Sequence, residues 1–232
     1  MRFSKFTLIV ALMSFVTVSC GSDSVIDPVV IPEVGSNSLL VIADVDGIDI
    51  APGVFTTSFN VDVTDSLGAD VIDAVVTITH SALGVVTLPM DALNPGTYVA
   101  LTNNYFAGTY WLSVRRGTDS LINGRVFGPD IHTIVYPTTS DTLFTDGPFT
   151  VLWTRIYSTE EVEIETRDFQ TTLSTSTTSP DTGSYTVSSG GTVRNDQRIR
   201  VSRANTTVLT TGWTGSNFEA SIRNTNEPIV VQ

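Results

Sequence analysis

Apolar and polar residues alternate along most of the chain after residue 38, and no sustained helical period accompanies them. In the segment SFNVDVT, residues 58–64, Phe59, Val61 and Val63 take every second position and polar residues take the others. Successive side chains of a β-strand point to opposite faces, so this alternation predicts a strand with one buried face.

Similar short segments recur through the chain, among them DAVVTIT, TYVAL, TYWLSV, IHTIVY, FTVLW, EVEIE, RIRVSR and FEASI, with turn sequences such as NPG and NTNEP between them. Short strands at regular spacing are typical of β-sandwiches. The alternation lapses between residues 136 and 148, where Thr, Asp, Gly and Pro dominate. We therefore predict an all-β protein with two tandem Ig-like β-sandwiches, residues 38–138 and 146–232, each of about 100 residues, a common domain size.

The N-terminus has the pattern of an export signal. Arg2 and Lys5 precede the apolar run FTLIVALMSFVTV, and small residues follow it. This is the pattern of a secretory signal peptide, and the run is shorter than the roughly 20 apolar residues that a membrane-spanning helix needs. We expect residues 1–19 to be cleaved, and residues 20–37, rich in Pro, Gly, Ser and acidic residues, to form a flexible tether.

Cys20 is the only cysteine of the chain and ends the sequence TVSC. This sequence resembles the lipobox of bacterial lipoproteins, in which the cysteine thiol receives a diacylglyceryl group and becomes the new N-terminus. The resemblance implies that Cys20 anchors the protein to membrane lipid in the bacterial cell envelope. Gly21, rather than an aspartate, follows the cysteine, which by resemblance to lipoprotein sorting favours the outer membrane. The alternative is an ordinary signal peptide cleaved nearby, with Cys20 incidental.

The charge of the chain limits its partners. It carries 24 acidic residues against 12 basic ones, for a net charge of −12. Such a surface repels phosphate backbones, whose binding depends on basic patches, so we expect no nucleic-acid partner. A single cysteine leaves neither a disulfide nor a second thiol ligand for zinc. Nothing in the sequence indicates an obligate oligomer, and we expect a monomer.

Two family resemblances support the predicted sandwiches. The segments VDVTDSLGADVIDAVVTI, NPGTYVA and AGTYWLSV resemble the carboxypeptidase-regulatory or transthyretin-like group of Ig-like domains. The segments FTVLWTR and IRVSRAN resemble strands B and F of fibronectin type III domains, with Trp153 as the core tryptophan. Both resemblances imply binding or spacer modules. They also imply that EEVEIE and RIRVSR are neighbouring strands, which predicts a charge ladder between the acidic and basic residues of their outer faces: Glu161, Glu163 and Glu165 against Arg198 and Arg200.

The segment NNYFAGTYW concentrates aromatic residues and is the candidate ligand-binding site. Strand alternation in TYWLSV places Tyr110 and Trp111 on opposite faces. An exposed Trp111 beside Tyr105 would stack on a sugar ring or fill a pocket of a protein partner. The alternative is that Tyr105, Tyr110 and Trp111 complete the core.

The segment ADVDGIDI is the candidate metal site, and calcium is the only cofactor that the sequence suggests. Asp46 and Gly47 suit a two-residue hairpin turn of type I′. That turn would set Asp44 opposite Asp49, and a cation would relieve the repulsion between the two carboxylates. The alternative is a solvated hairpin end without metal.

No segment predicts a reaction centre. The tetrapeptide DTGS, residues 181–184, matches the aspartic-protease signature, but it occurs once and follows a polar segment, so we interpret it as a polar turn. His80 and His132 are interpreted as strand residues. We therefore expect a membrane-anchored, extracytoplasmic, non-enzymatic lipoprotein that acts as a binding or structural module for an unknown protein or glycan. The alternatives are an accessory carbohydrate-binding surface protein and a hydrolase whose site is assembled from distant loops.

Overall fold

The computed structural model describes residues 38–51, 53–144, 148–167, 174–188 and 198–231. The secondary structure of these residues is all-β, and none of their segments forms a helix long and apolar enough to cross a membrane. The strands are β1 (Leu39–Ala51), β2 (Val54–Asp65), β3 (Val75–His80), β4 (Gly84–Leu88), β5 (Thr97–Thr102), β6 (Gly108–Arg116), β7 (Asp119–Gly128), β8 (Ile134–Tyr136), β9 (Thr142–Phe144), β10 (Phe149–Trp153), β11 (Glu161–Arg167), β12 (Ser174–Ser179), β13 (Ser184–Val187), β14 (Arg198–Val208), β15 (Asn217–Asn226) and β16 (Ile229–Val231).

The largest sheet has seven strands in the order β12-β11-β14-β15-β1-β2-β5. A four-stranded sheet, β4-β3-β6-β7, packs against its β15-β1-β2 part, and a three-stranded sheet, β13-β10-β8, packs against its β11-β14 part. The strands β16 and β9 form a parallel pair. The fold is thus sandwich-like at both ends, and the seven-stranded sheet contributes one layer to each sandwich.

Each sandwich has a core built from alternate strand residues, as the sequence pattern predicts. The first core includes Val61 and Val63 of β2, Ile78 of β3, and Leu112 and Val114 of β6. In the second core, Trp153 of β10 is buried against β11 and β14, in the place that its resemblance to a core tryptophan implies. Burying an aliphatic or aromatic side chain of this size contributes about 1.5–3 kcal/mol.

The two predicted domains, residues 38–138 and 146–232, share the seven-stranded sheet. β15 pairs in parallel with β1, with Val45 opposite Ala220, and Phe218 and Ala220 of β15 belong to the first core. A sheet that continues across the predicted boundary is a difference from the sequence prediction. Its physical reason is that alternation within a strand reveals which face is buried and carries no information on which distant strand becomes its neighbour.

The predicted hairpin turn at Asp46 and Gly47 is wrong, because β1 continues through both residues to Ala51. Asp44 lies opposite Asn60, and Asp49 lies opposite Phe55. The glycine serves a packing contact instead of a turn: a Cβ atom at Gly47 would overlap the ring of Tyr105.

The prediction that EEVEIE and RIRVSR are neighbouring strands is confirmed, because β11 pairs with β14 in an antiparallel register. The ladder itself is shorter than expected. Glu165 faces Arg200 and forms an ion pair with an N–O distance of 3.1 Å, whereas Glu163 faces Ser202 and Glu161 faces Ala204. The register therefore allows one of the expected facing pairs.

Candidate functional site

An exposed group of aromatic side chains lies on the outer face of the four-stranded sheet and on the loop 154–160. Trp111 of β6 is 41% exposed, Phe127 of β7 is 45% exposed, and Tyr157 of the loop is 63% exposed. Together with the exposed Arg125 of β7, these residues are called the aromatic strip below. Exposed apolar groups that are contiguous mark interaction sites more often than scattered ones do.

Strand register brings the members of the strip together. Trp111 lies opposite Arg125, and Thr109 lies opposite Phe127, so Phe127 is the diagonal neighbour of Trp111. The guanidinium carbon of Arg125 is 5.9 Å from the centroid of the Trp111 ring, which is cation–π distance. Phe127 and Tyr157 meet edge to face, with ring centroids 6.4 Å apart and an interplanar angle of 86°.

The outward direction of the strip follows from the alternation of β6 and β7. Tyr110 and Leu112 on β6 and Val126 on β7 point into the first core. Because successive side chains alternate, Trp111 and Phe127 must then point away from it. Two large apolar side chains thus occupy positions where strand alternation normally places polar residues.

The loop that carries Tyr157 is fixed by buried charges. The Asp130 carboxylate accepts hydrogen bonds from the backbone N–H groups of Ile156, at 2.8 Å, and Tyr157, at 3.2 Å. Arg203 donates from Nη1 to the Asp130 carbonyl at 3.0 Å and from Nη2 to the Tyr157 carbonyl. These bonds tie the backbone of Tyr157 to β14 and place its ring beside Phe127.

Asp181 completes this arrangement, and Arg203, Asp130 and Asp181 are called the Arg203 cluster below. Arg203 is fully buried and donates to Asp181 Oδ2 from Nε at 3.0 Å and from Nη2 at 2.8 Å. Trp153 Nε1 donates to Oδ1 at 2.9 Å, and the Thr159 N–H donates to Oδ2 at 3.0 Å. Burial raises the pKa of Asp181, but the bonds from Trp153 and Thr159 and the Arg203 charge outweigh it and hold the pKa below its ordinary value.

The Arg203 cluster is not predicted by the sequence pattern. DTGS connects β12 to β13, as its interpretation as a turn predicts, but the Asp181 side chain is buried instead of solvated. Strand alternation does indicate that Arg203 is buried. Arg203 follows Ile199 and Val201 at the same two-residue spacing and therefore lies on the inward face of β14. A buried arginine requires an anionic partner, but no local pattern identifies Asp181 as that partner.

The interpretation in which Trp111 and Tyr105 share an exposed surface is wrong, because Tyr105 is buried, as the alternative of aromatics in the core predicts. Its hydroxyl donates to the Pro129 carbonyl at 2.9 Å, and burial raises its pKa. Tyr110 is also buried and meets Phe59 edge to face, with ring centroids 6.3 Å apart. Of the predicted aromatic residues, Trp111 alone reaches the surface, and its exposed neighbours are residues that the sequence analysis did not single out.

The two carboxylates predicted to hold calcium do not face each other. Asp44 lies opposite Glu219 of β15, and burial, followed by the charges of Asp46 and Glu219, raises its pKa to about 6. Asp49 accepts a hydrogen bond from the Thr225 hydroxyl at 3.2 Å. Within the described ranges, no group of three or more His, Cys, Asp or Glu side chains is arranged to hold a metal ion. The hairpin geometry on which the calcium prediction depended is therefore absent.

The predicted signal peptide, the tether and Cys20 lie outside the described residues. The lipid anchor accordingly stays a prediction from the sequence TVSC.

No protein-family model and no curated protein matches the chain. Solved structures with some likeness are the adhesin InvE of Yersinia pseudotuberculosis (14% identity, TM-score 0.29) and the fibronectin(III)-like modules of Clostridium thermocellum CbhA (11% identity, TM-score 0.29). A tetra-tandem repeat from the extending region of a large adhesion protein follows, at 13% identity and a TM-score of 0.23.

The three likenesses cover 82%, 84% and 81% of this chain, and 60%, 94% and 50% of the respective neighbours. This chain therefore spans only part of the InvE structure. At these TM-scores the likenesses carry no argument about function, and the assignment as an all-β, sandwich-like fold depends on the strands and sheets themselves.

Proposed function

We propose that this chain is a non-enzymatic binding module of the bacterial cell envelope, anchored through lipid on Cys20, and that the aromatic strip binds a protein partner. The observation that carries the proposal is the exposure of Trp111, Arg125, Phe127 and Tyr157 side by side. Trp, Tyr and Arg are the residue types that most often dominate the binding energy of protein interfaces.

The geometry of the rings favours a protein over a glycan. A sugar stacks on an open aromatic face, but the Arg125 guanidinium lies over the Trp111 ring. The rings of Phe127 and Tyr157 are nearly perpendicular, so they form no flat platform for stacking. Such an uneven apolar surface with one cation suits apolar side chains of a partner that also offers a carboxylate to Arg125.

The Arg203 cluster supports the strip by fixing one of its members before binding. Through Asp130 and Arg203, the backbone of Tyr157 makes hydrogen bonds on both its N–H and its carbonyl. A side chain whose backbone is already ordered loses less conformational entropy on binding, which favours affinity.

The proposed anchor follows from the sequence. Lipidation of Cys20 would attach two or three acyl chains, and stable membrane binding requires more than one. The tether of residues 20–37 would reach roughly 60 Å when fully extended, enough to hold the sandwiches away from the lipid surface.

A comparative pull-down tests the proposal. The full-length chain, its Trp111→Ala and Phe127→Ala variants, and a Leu101→Ala control are used as bait against detergent-solubilised envelopes of the source bacterium. Leu101 is an exposed apolar residue on β5, outside the strip. Circular dichroism and the melting temperature verify that each bait is folded.

We expect one protein to be recovered with the wild type and the Leu101→Ala bait and to be depleted with both strip variants. Equal recovery with all four baits would contradict the role of the strip. If the wild type binds a purified envelope glycan instead of a protein, and Trp111→Ala abolishes that binding, the partner is a carbohydrate.

A further inference from the structure

A cleft of about 530 Å³ lies where the end of β1 separates from β15. Its charged lining includes three arginines: Arg198 and Arg200 of β14 and Arg223 of β15. Cavities of about 300–1,000 Å³ are the usual size of small-molecule sites. This arginine cleft shares no residue with the aromatic strip.

The register of β14 and β15 places the arginines together. Arg200 lies opposite Thr225, and Ser202 lies opposite Arg223, so Arg223 is the diagonal neighbour of Arg200. Arg198 precedes Arg200 by two residues and shares its strand face. A cluster of three guanidinium groups is unexpected in a chain whose net charge is −12.

Carboxylates surround the three arginines but leave Arg223 without an ion pair to any described residue. Asp49 and Glu227 line the cleft with the arginines. Arg200 uses Nη1 for its ion pair with Glu165. Arg223 has an electrostatic interaction with Asp49, and the structure gives it no ion pair with the described residues. Its planar guanidinium therefore offers donors that match a carboxylate.

The cleft is also lined by apolar side chains. Ile48, Ile50 and Phe55 come from the β1 and β2 ends, and Ile131 comes from the segment that leads to β8. A ligand that fits both kinds of lining residue has an anionic head and an apolar body.

We propose that the arginine cleft binds a small organic carboxylate, whose carboxylate contacts Arg223 and Arg200 and whose apolar body lies against Ile48, Phe55 and Ile131. This site goes beyond the proposed function, because a protein partner at the aromatic strip neither requires it nor occupies it.

Calorimetric titration of the purified full-length chain tests the site with acetate, butyrate and hexanoate, which share the head group and differ in the apolar body. Affinity should increase from acetate to hexanoate. Arg223→Gln should weaken hexanoate binding about tenfold or more, because hydrogen bonds to charged groups are among the strong ones. Ile131→Ser should weaken hexanoate more than acetate, and an Arg115→Gln control on β6 should leave all three affinities unchanged.

Three results would overturn the proposal: no binding of any of the three acids to the folded wild type, unchanged hexanoate binding by Arg223→Gln, or equal binding of inorganic phosphate and hexanoate. The last result would mean that the cleft takes small anions without regard to an organic body. Because Arg223 forms no ion pair with the described residues, its replacement should preserve the fold, and the melting temperature verifies this.

Discussion

Replacing Asp181 with asparagine tests whether the Arg203 cluster stabilises the second sandwich and the loop of Tyr157. The substitution keeps the shape of the side chain and removes a negative charge 2.8 Å from the Arg203 guanidinium, in a pair where both side chains are fully buried. An asparagine has one acceptor oxygen, whereas the carboxylate accepts on both oxygens from Arg203, Trp153 and Thr159. At least one donor must then lose its partner.

Breaking a buried ion pair by removing one member costs about 3–5 kcal/mol. Asp130 remains 3.3 Å from Arg203 and still neutralises part of its charge, so we expect the lower end, about 3 kcal/mol. For a protein of this size, 1 kcal/mol corresponds to a shift in melting temperature of about 2–4 °C, which gives a decrease of roughly 6–12 °C.

The same carboxylate predicts a pH dependence. Burial raises the pKa of Asp181, but its hydrogen bonds and the Arg203 charge outweigh burial, and the folded-state pKa lies below the ordinary value of 3.8. A lowered pKa means that the unfolded chain binds the proton more tightly. The stabilisation is therefore complete above pH 3.8 and is lost as the pH falls through the lower, folded-state pKa. The difference between wild type and Asp181→Asn should shrink in that acidic range.

Urea denaturation of wild type, Asp181→Asn and an Asp73→Asn control measures the free energy of unfolding. Asp73 forms an exposed ion pair with Arg116 at 2.8 Å, and such surface pairs contribute about 0–1 kcal/mol. If Asp181→Asn lowers the free energy of unfolding no more than Asp73→Asn does, the buried cluster does not stabilise the fold in the way described.

Three further experiments test other parts of the structure. Cys20→Ser should abolish palmitate labelling and membrane association, or leave an uncleaved precursor, while the melting temperature is unchanged; an unlabelled, soluble wild type would contradict lipidation. Asp44→Asn should raise the melting temperature above pH 6 and leave it unchanged below pH 3.8. The pKa of Asp44 is raised to about 6 in the folded state, so ionising this carboxyl makes the folded state less stable as the pH rises from 3.8 to 6. Equal shifts in melting temperature above pH 6 and below pH 3.8 would contradict this. A double-mutant cycle on Glu165 and Arg200 should give a coupling below about 1 kcal/mol, as for partly exposed cross-strand pairs, and a value well above that would contradict the assignment.

Strand identity and strand face could be predicted from the sequence because both depend on local alternation. Phe59, Val61 and Val63 are buried as their spacing indicates, and Trp153 lies in the second core. The pairing of β11 with β14 also followed from resemblance to a known sandwich.

The features that could not be predicted depend on contacts between distant segments. The parallel pairing of β1 with β15 joins residues near the two ends of the described chain. Gly47 has the sequence context of a hairpin turn, but the ring that packs against it belongs to Tyr105.

The exposed site was predictable only in part, for the same reason. The alternation of β6 places Trp111 on its outward face, and the alternation of β7 places Phe127 on its outward face as well. Tyr157 comes from a loop without alternation, and its position depends on Asp130 and Arg203. Sequence patterns indicate the faces of strands, whereas loop residues at a surface are positioned by buried contacts that only the fold reveals.

The most direct test of the central claim is the dissociation constant between the full-length chain and the envelope protein recovered with it, measured for wild type and for Trp111→Ala. Truncating a central interface residue typically costs about 2 kcal/mol or more, which corresponds to a loss of affinity of roughly 30-fold. We predict a loss of that order for Trp111→Ala and an unchanged constant for Leu101→Ala. Equal dissociation constants for wild type and folded Trp111→Ala would contradict the claim that the aromatic strip is the binding surface.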